Sequence, residues 1–296
     1  HCFYHFKIVV VRMSASSSLP ALSNTMPALQ NDAPIGIFDS GIGGLSVALE
    51  IARYLPQEHI LYYADTANVP YGPRDDQNIR ELTARAIEWL YRQGCKVVVV
   101  ACNTASAFSL DYLREHYGEQ LPIVGLVPAL KPAVLQTKSK SVAVLATPAT
   151  FRGKLIKDVI YHFADPMGVK VSTLTCLDLV PLVESGQQNS PYSRTILKDL
   201  LDPIVEQGVD FLVLGCTHYP FLKEAIQSIY GENLSLVDSG FAVARQTSRI
   251  LIKNNLLSIE LDQCQPRLKC YVSGHNAEKL KPIIKNLIDS EISWTV

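Results

Sequence analysis

The 296-residue chain has no surplus of either charge: 27 Lys and Arg against 28 Asp and Glu leave a net charge of −1, and no block of five like charges occurs. A nucleic-acid partner asks for a basic stripe, so none is expected. Long apolar runs are missing too. The longest, such as Val97 to Cys102, fall far short of the roughly 20 residues that cross a bilayer, so no membrane role is expected. The seven cysteines (Cys2, Cys95, Cys102, Cys176, Cys216, Cys264, Cys270) form no C-x-x-C pair and no zinc-like cluster, so no metal site is expected. Their odd number and wide scatter argue against a disulfide framework and for a reducing, cytoplasmic setting. Charged residues make up only 19% and hydrophobic ones 48%, a balance that can bury a sizeable core.

His1 to Ala33 holds a short apolar patch, Ile8 to Val11, followed by Ser14-Ala15-Ser16-Ser17-Ser18. The patch lacks a basic leader and a small-residue cleavage site, so it does not read as a signal peptide. Met13 and Met26 are alternative starts. Residues 1–33 are expected outside the fold, as a disordered tail or an over-extended N-terminus.

From Pro34 onward, short β-rich runs alternate with segments of helical period. The runs are Ile35–Phe38, Ile60–Tyr63, Val97–Ala101, Ile123–Leu126, Val142–Ala146, Val169–Leu174, Phe211–Leu214, Leu234–Val237 and Leu268–Val272; the helical segments include Leu45–Leu55, Asp75–Gln93 and Ala105–Tyr117. Fully apolar strands alternating with helices predict an α/β fold with mainly parallel sheets covered on both faces.

Two internal echoes refine this. Val97-Val98-Val99-Val100-Ala101-Cys102-Asn103-Thr104 resembles Phe211-Leu212-Val213-Leu214-Gly215-Cys216-Thr217-His218, and Ile37-Phe38-Asp39-Ser40-Gly41 resembles Leu236-Val237-Asp238-Ser239-Gly240. They suggest two similar halves, pseudo-twofold related, with a cleft between them. Ligands of open parallel sheets bind at the carboxyl ends of strands, where Asp39, Cys102, Cys216 and Asp238 are expected. Two thiols from opposite halves would then face one cleft.

Two facing thiols suit inversion of an amino acid at Cα. The planar intermediate needs a base on one face and an acid on the other. A thiol with an ordinary pKa of about 8.5 can serve as either near neutrality. Asp39 and His218 are placed to set the two protonation states. Cys95, Cys176 and Cys270 lie in apolar or alternating segments without a following polar cluster and read as packing residues.

At this point the chain resembles the bacterial glutamate racemases. The carriers are Ile35-Gly36-Ile37-Phe38-Asp39-Ser40-Gly41-Ile42-Gly43-Gly44-Leu45-Ser46, Asp65-Thr66-Ala67-Asn68-Val69-Pro70-Tyr71-Gly72, Ala101-Cys102-Asn103-Thr104-Ala105-Ser106, Leu214-Gly215-Cys216-Thr217-His218-Tyr219-Pro220 and Val237-Asp238-Ser239-Gly240. They follow the family's order from about residue 34 to 250. The resemblance implies a cofactor-independent enzyme supplying D-glutamate for peptidoglycan. It assigns Cys102 to D-glutamate and Cys216 to L-glutamate, with Asp39 and His218 assisting. It also implies substrate binding by Asp39, Ser40, Tyr71, Gly72, Asn103, Thr104, Thr217 and His218. Glu184, in Pro181-Leu182-Val183-Glu184, resembles a further assisting residue, although Leu177 follows Cys176 where the family commonly has Pro. Homodimers, and activation by a cell-wall precursor, occur among relatives.

Each assignment also has a local reading. The Asp39–Gly44 loop follows a strand and opens a helix, so its amides could receive an anion; it lacks the G-x-G-x-x-G spacing and the P-loop lysine of nucleotide sites. Asn103, Thr104 and Thr217 offer neutral donors and acceptors for ammonium and carboxylate groups. The first domain is expected at 34–127 plus 235–296 and the second at 128–234, so that two crossings permit closure around a small substrate. Rival readings are an aspartate racemase, a non-catalytic dicarboxylate binder, and a hydrolase using Cys102 alone.

Overall fold

The computed structural model describes residues 8–12, 30–259, 267–274 and 276–293. Within them run the strands β1 (Ile8–Arg12), β2 (Ile35–Asp39), β3 (Ile60–Ala64), β4 (Val97–Val100), β5 (Ile123–Gly125), β6 (Ser141–Ala146), β7 (Lys170–Leu174), β8 (Phe211–Gly215), β9 (Ser235–Val237) and β10 (Leu268–Val272). They form two sheets, ordered β1-β10-β3-β2-β4-β5 and β7-β6-β8-β9, and every pairing is parallel. Parallel strands need crossover helices, which cover both faces. Accordingly every residue of β2 and β4 is buried. The α/β architecture with two sheets of parallel strands matches the sequence reading.

The two sheets repeat one winding. In β3-β2-β4-β5 and in β7-β6-β8-β9 the first strand of the unit lies second, flanked by the strands that follow it. This pairs β2 with β6, β3 with β7, β4 with β8 and β5 with β9. The Cys102 and Cys216 echo follows equivalent strands, β4 and β8. The Asp39 and Asp238 echo does not, because Asp39 ends β2 while Asp238 follows β9. The counterpart of Asp39 on β6 is the Ala146–Thr147 end.

Two further expectations are corrected. Ile8–Arg12 belongs to the fold: it pairs with β10 from Ile8↔Leu268 to Arg12↔Val272. The edge of β10 offers a row of unpaired backbone groups, and the β-branched run Ile8-Val9-Val10-Val11 suits such a place. The remainder of 1–33 that was expected to be a tail lies, apart from residues 30–33, outside the described residues. The return to the first sheet comes after Val237, not at 235, because Ser235–Val237 pairs with β8. The helix Gly240–Lys253 then packs on the helix Leu45–Tyr54. The two crossings are tied together where Ser239 Oγ donates to the Val127 carbonyl at 2.7 Å.

One apolar cluster runs through both halves, from Ile35, Ile37 and Val99 to Leu145, Leu212 and Leu214. The strand ends are thereby held on a continuous core.

Candidate active site

The carboxyl ends of β2, β4, β6 and β8 open onto one small cavity. Its wall includes Ser40, Cys102 and Asn103 from the first half, and Thr147, Cys216 and Thr217 from the second. Tyr71, Gly72, Thr104 and His218 also line it. The structure thus brings together most residues expected from sequence.

Cys102 caps the helix Asn103–Tyr117, its Sγ accepting from the Ala105 amide at 3.4 Å. The thiol also reaches Ser40 Oγ at 3.6 Å. Burial and the Asp39 carboxylate push its pKa up to about 12, against the smaller opposing pull of the Ala105 amide and Ser40 hydroxyl. Desolvation outweighs the helix terminus here, so the thiol form is favoured.

Cys216 has a different neighbour. Its Sγ lies 3.6 Å from His218 Nδ1, and His218 Nε2 lies 2.6 Å from Glu184 Oε1. Burial pulls the imidazole pKa down, but hydrogen bonding to Cys216 and Glu184 together with their charges raises it well above the usual histidine value. The protonated form of His218 is thereby favoured between a sulfur and a carboxylate. Glu184 Oε1 also accepts from the Ile42 amide at 2.8 Å, so this second-half residue is docked on the first-half loop. A larger residue there would displace these groups: a Cβ on Gly41 would stand 2.1 Å from Glu184 Oε1, and one on Gly43 would stand 2.4 Å from His218 Nδ1.

Asp39 is fully buried and does not reach the cavity wall. Its Oδ2 accepts from the Gly41 and Gly44 amides at 3.1 and 3.0 Å, and its Oδ1 from Thr217 Oγ1 at 3.1 Å. Burial raises its pKa despite His218 and the two amides. The loop amides expected to receive a ligand anion are therefore partly occupied by Asp39 itself. Ser46 joins the same seam, its Oγ donating to the Gly43 and Thr217 carbonyls, each at 2.9 Å.

Thr104 Oγ1 meets Thr147 Oγ1 at 2.8 Å across the cleft, and Thr147 Oγ1 meets Thr150 Oγ1 at 3.0 Å. Asn103 Oδ1 is buried without a protein partner on the cavity wall, an acceptor suited to an ammonium group. Sequence reasoning missed Thr147, Pro70 and Val180 as lining residues. Thr147-Pro148 directly follows the apolar run of β6, as Ser40-Gly41 follows β2, and that position was the available signal. Asp238 stays outside the wall, paired with Lys223 and accepting from the Gly240 amide at 2.7 Å. Among the described residues no group of three or more His, Cys, Asp or Glu is gathered as a metal would require, and no helix is long and apolar enough to cross a membrane.

Comparison with known proteins agrees with this geometry. Residues 35–247 match the Asp/Glu/Hydantoin racemase family. A glutamate racemase of Deinococcus radiodurans is 59% identical over 76% of this chain and 77% of its own. The Escherichia coli glutamate racemase, solved with L-glutamate and the activator UDP-MurNAc-Ala, superposes with a TM-score of 0.75 at 33% identity, over 86% of this chain and 95% of its own. The Francisella tularensis glutamate racemase with D-glutamate gives 0.74 at 28% identity, over 88% and 94%. Paired thiols on equivalent strands and this similarity lead to one conclusion: the chain belongs to the Asp/Glu/Hydantoin racemase family and, within it, to the glutamate racemases.

Proposed function

We propose that the chain interconverts L- and D-glutamate by proton transfer between Cα and two cysteines, without a cofactor, and so supplies D-glutamate for peptidoglycan in the cytoplasm. The carrying observation is that Cys102 and Cys216 follow equivalent strands and line one cavity.

With L-glutamate bound, the Cys216 thiolate takes the Cα proton. The C–H bond breaks, an S–H bond forms, and the electron pair is left on a near-planar carbon conjugated with the carboxylate. The Cys102 thiol then gives its proton to the opposite face, and D-glutamate leaves a Cys102 thiolate behind. D-glutamate reverses each step. His218, whose protonated form is favoured, adjoins the Cys216 sulfur, while burial and the Asp39 carboxylate favour the thiol form of Cys102. The two environments thus bias the thiols toward opposite roles. Asn103, Thr104 and Thr217 offer neutral contacts that bind the charged substrate without over-stabilising its ground state.

The test is circular dichroism of L-glutamate with the purified protein in D2O, followed by NMR of the Cα proton. Loss of the dichroic signal with solvent deuterium at Cα supports the reading. A flat signal with L-glutamate, including after addition of UDP-MurNAc-Ala, overturns it; activity on L-aspartate alone would move the assignment to that substrate.

A further inference from the structure

Tyr71 and Gly72 line the cavity, yet the Tyr71 ring is 1% exposed and its hydroxyl donates to Asp65 Oδ2 at 2.6 Å. That hydroxyl has its proton committed to Asp65. What the loop can present to a substrate is its main chain. Burial and the Asp65 carboxylate raise the Tyr71 pKa, so the phenol stays a donor.

Asp65 is the centre of the arrangement. It is 4% exposed. Besides Tyr71, its oxygens accept from Asn68 Nδ2, at 3.0 Å each, and its Oδ1 accepts from Ser273 Oγ at 2.6 Å. Ser273 in turn accepts from the Ala67 amide on its Oγ at 3.0 Å and from Thr66 Oγ1 on its carbonyl. The anchor is firm: Ser273 follows β10, which lies between β1 and β3, and its amide donates to the Ala64 carbonyl at 2.9 Å. At the far end of the loop, a Cβ on Gly72 would stand 2.9 Å from Thr147 Cβ of the opposite half. A small displacement of this segment would therefore change the cavity wall directly.

We infer that Asp65 is a positioning residue for substrate binding: by joining the Tyr71 hydroxyl to Ser273 at the end of β10, it fixes the Tyr71–Gly72 main chain against the cavity. The inference rests on the racemase reading above. Asp65 is bonded to Tyr71, Asn68 and Ser273 rather than to either thiol, so its loss weakens binding more than proton transfer.

The experiment compares wild type, Tyr71→Phe, Ser273→Ala, Asp65→Asn, Asp65→Ala and the double variant Asp65→Ala/Tyr71→Phe, measuring kcat and KM for both glutamate enantiomers alongside thermal melts. Tyr71→Phe should raise KM by about tenfold with a clearly smaller change in kcat, the size of one lost hydrogen bond to a charged group. Asp65→Asn keeps one acceptor and should fall between wild type and Asp65→Ala. Adding Tyr71→Phe to Asp65→Ala should raise KM no further, since both remove one link. Multiplying KM effects would show that the hydroxyl acts on the substrate directly and would overturn the inference. A fall in kcat with KM constant would do the same. If Asp65→Ala does not fold, Tyr71→Phe combined with Ser273→Ala decides, because two links through Asp65 should be non-additive. An inactive wild type would instead defeat the racemase reading itself.

Discussion

Glu184 Oε1 stands 2.6 Å from His218 Nε2 and so gives the imidazole beside Cys216 a carboxylate partner. The same oxygen accepts from the Ile42 amide of the other half at 2.8 Å. One carboxylate therefore sets a charge state and joins the two walls of the cleft.

Glu184→Gln should lower the His218 pKa toward the ordinary histidine value of about 6.5. In the wild type the folded-state pKa is raised. Its contribution to stability is thus complete below the unfolded-state value and is lost as pH rises through the folded one. Imidazole NMR should show His218 still charged well above pH 6.5 in the wild type and titrating lower in the variant. Equal titration in both proteins would remove Glu184 from this role.

Cys102→Ala and Cys216→Ala should each reduce racemisation by about 10²-fold to 10⁴-fold or more, the range of a lost acid or base, with the fold retained. Cys216→Ala should also stop deuterium entry at Cα of L-glutamate, because the base on that face is gone. Racemisation at the wild-type rate by either variant would defeat the two-base mechanism.

These thiols were legible in sequence because the chemistry is compressed into short segments at strand ends, each an apolar run followed by Cys and small polar residues. Asp238 shows where such reading fails. Asp39 Oδ2 accepts from the amide of Gly41 and Asp238 Oδ1 from that of Gly240, two residues on in each case. The shared Asp-Ser-Gly records one local turn, used after strands that are not equivalent in the winding. The strand Ile8–Arg12 was illegible for another reason: five residues of edge strand, paired on one side with a strand near the other end of the chain, carry no periodic signal of their own. The docking of Glu184 on Ile42 likewise joins residues 142 positions apart and exists only in the folded chain.

Asp39→Asn should speed alkylation of Cys102. Burial comes first among the causes of the high Cys102 pKa and the Asp39 carboxylate second; removing the carboxylate leaves the first and lowers the value part of the way. With a pKa of about 12, labelling of Cys102 in the wild type should rise about tenfold per pH unit from pH 7 to 10, following the thiolate fraction. Mass spectrometry of the Cys102 peptide in a Cys216→Ala background isolates the rate. A plateau near pH 8.5 would show an ordinary thiol, and an unchanged rate in Asp39→Asn would remove the carboxylate as a cause. Bound glutamate should slow labelling in the wild type, since the thiol lines the cavity.

The buried ion pair of Lys96 and Glu58 supports the opposite end of the first sheet. Nζ lies 2.6 Å from Oε2, with the two side chains 0% and 1% exposed. Ser258 closes the group, its amide and hydroxyl donating to Glu58 at 2.9 and 3.0 Å, while Lys96 also donates to the Asn31 carbonyl. Four distant segments, at Asn31, Glu58, Lys96 and Ser258, meet around two charges that are almost fully buried. Lys96→Met leaves the Glu58 carboxylate buried without its cation and should cost about 3–5 kcal/mol. Replacing both, Lys96→Met with Glu58→Leu, removes the stranded charge and should recover much of that loss, because the desolvation of two ions offsets most of their attraction. Urea denaturation of the four proteins of this cycle measures the coupling directly. A double variant as unstable as Lys96→Met alone would mean that the Ser258 contacts to Glu58, rather than the ion pair, hold this corner together.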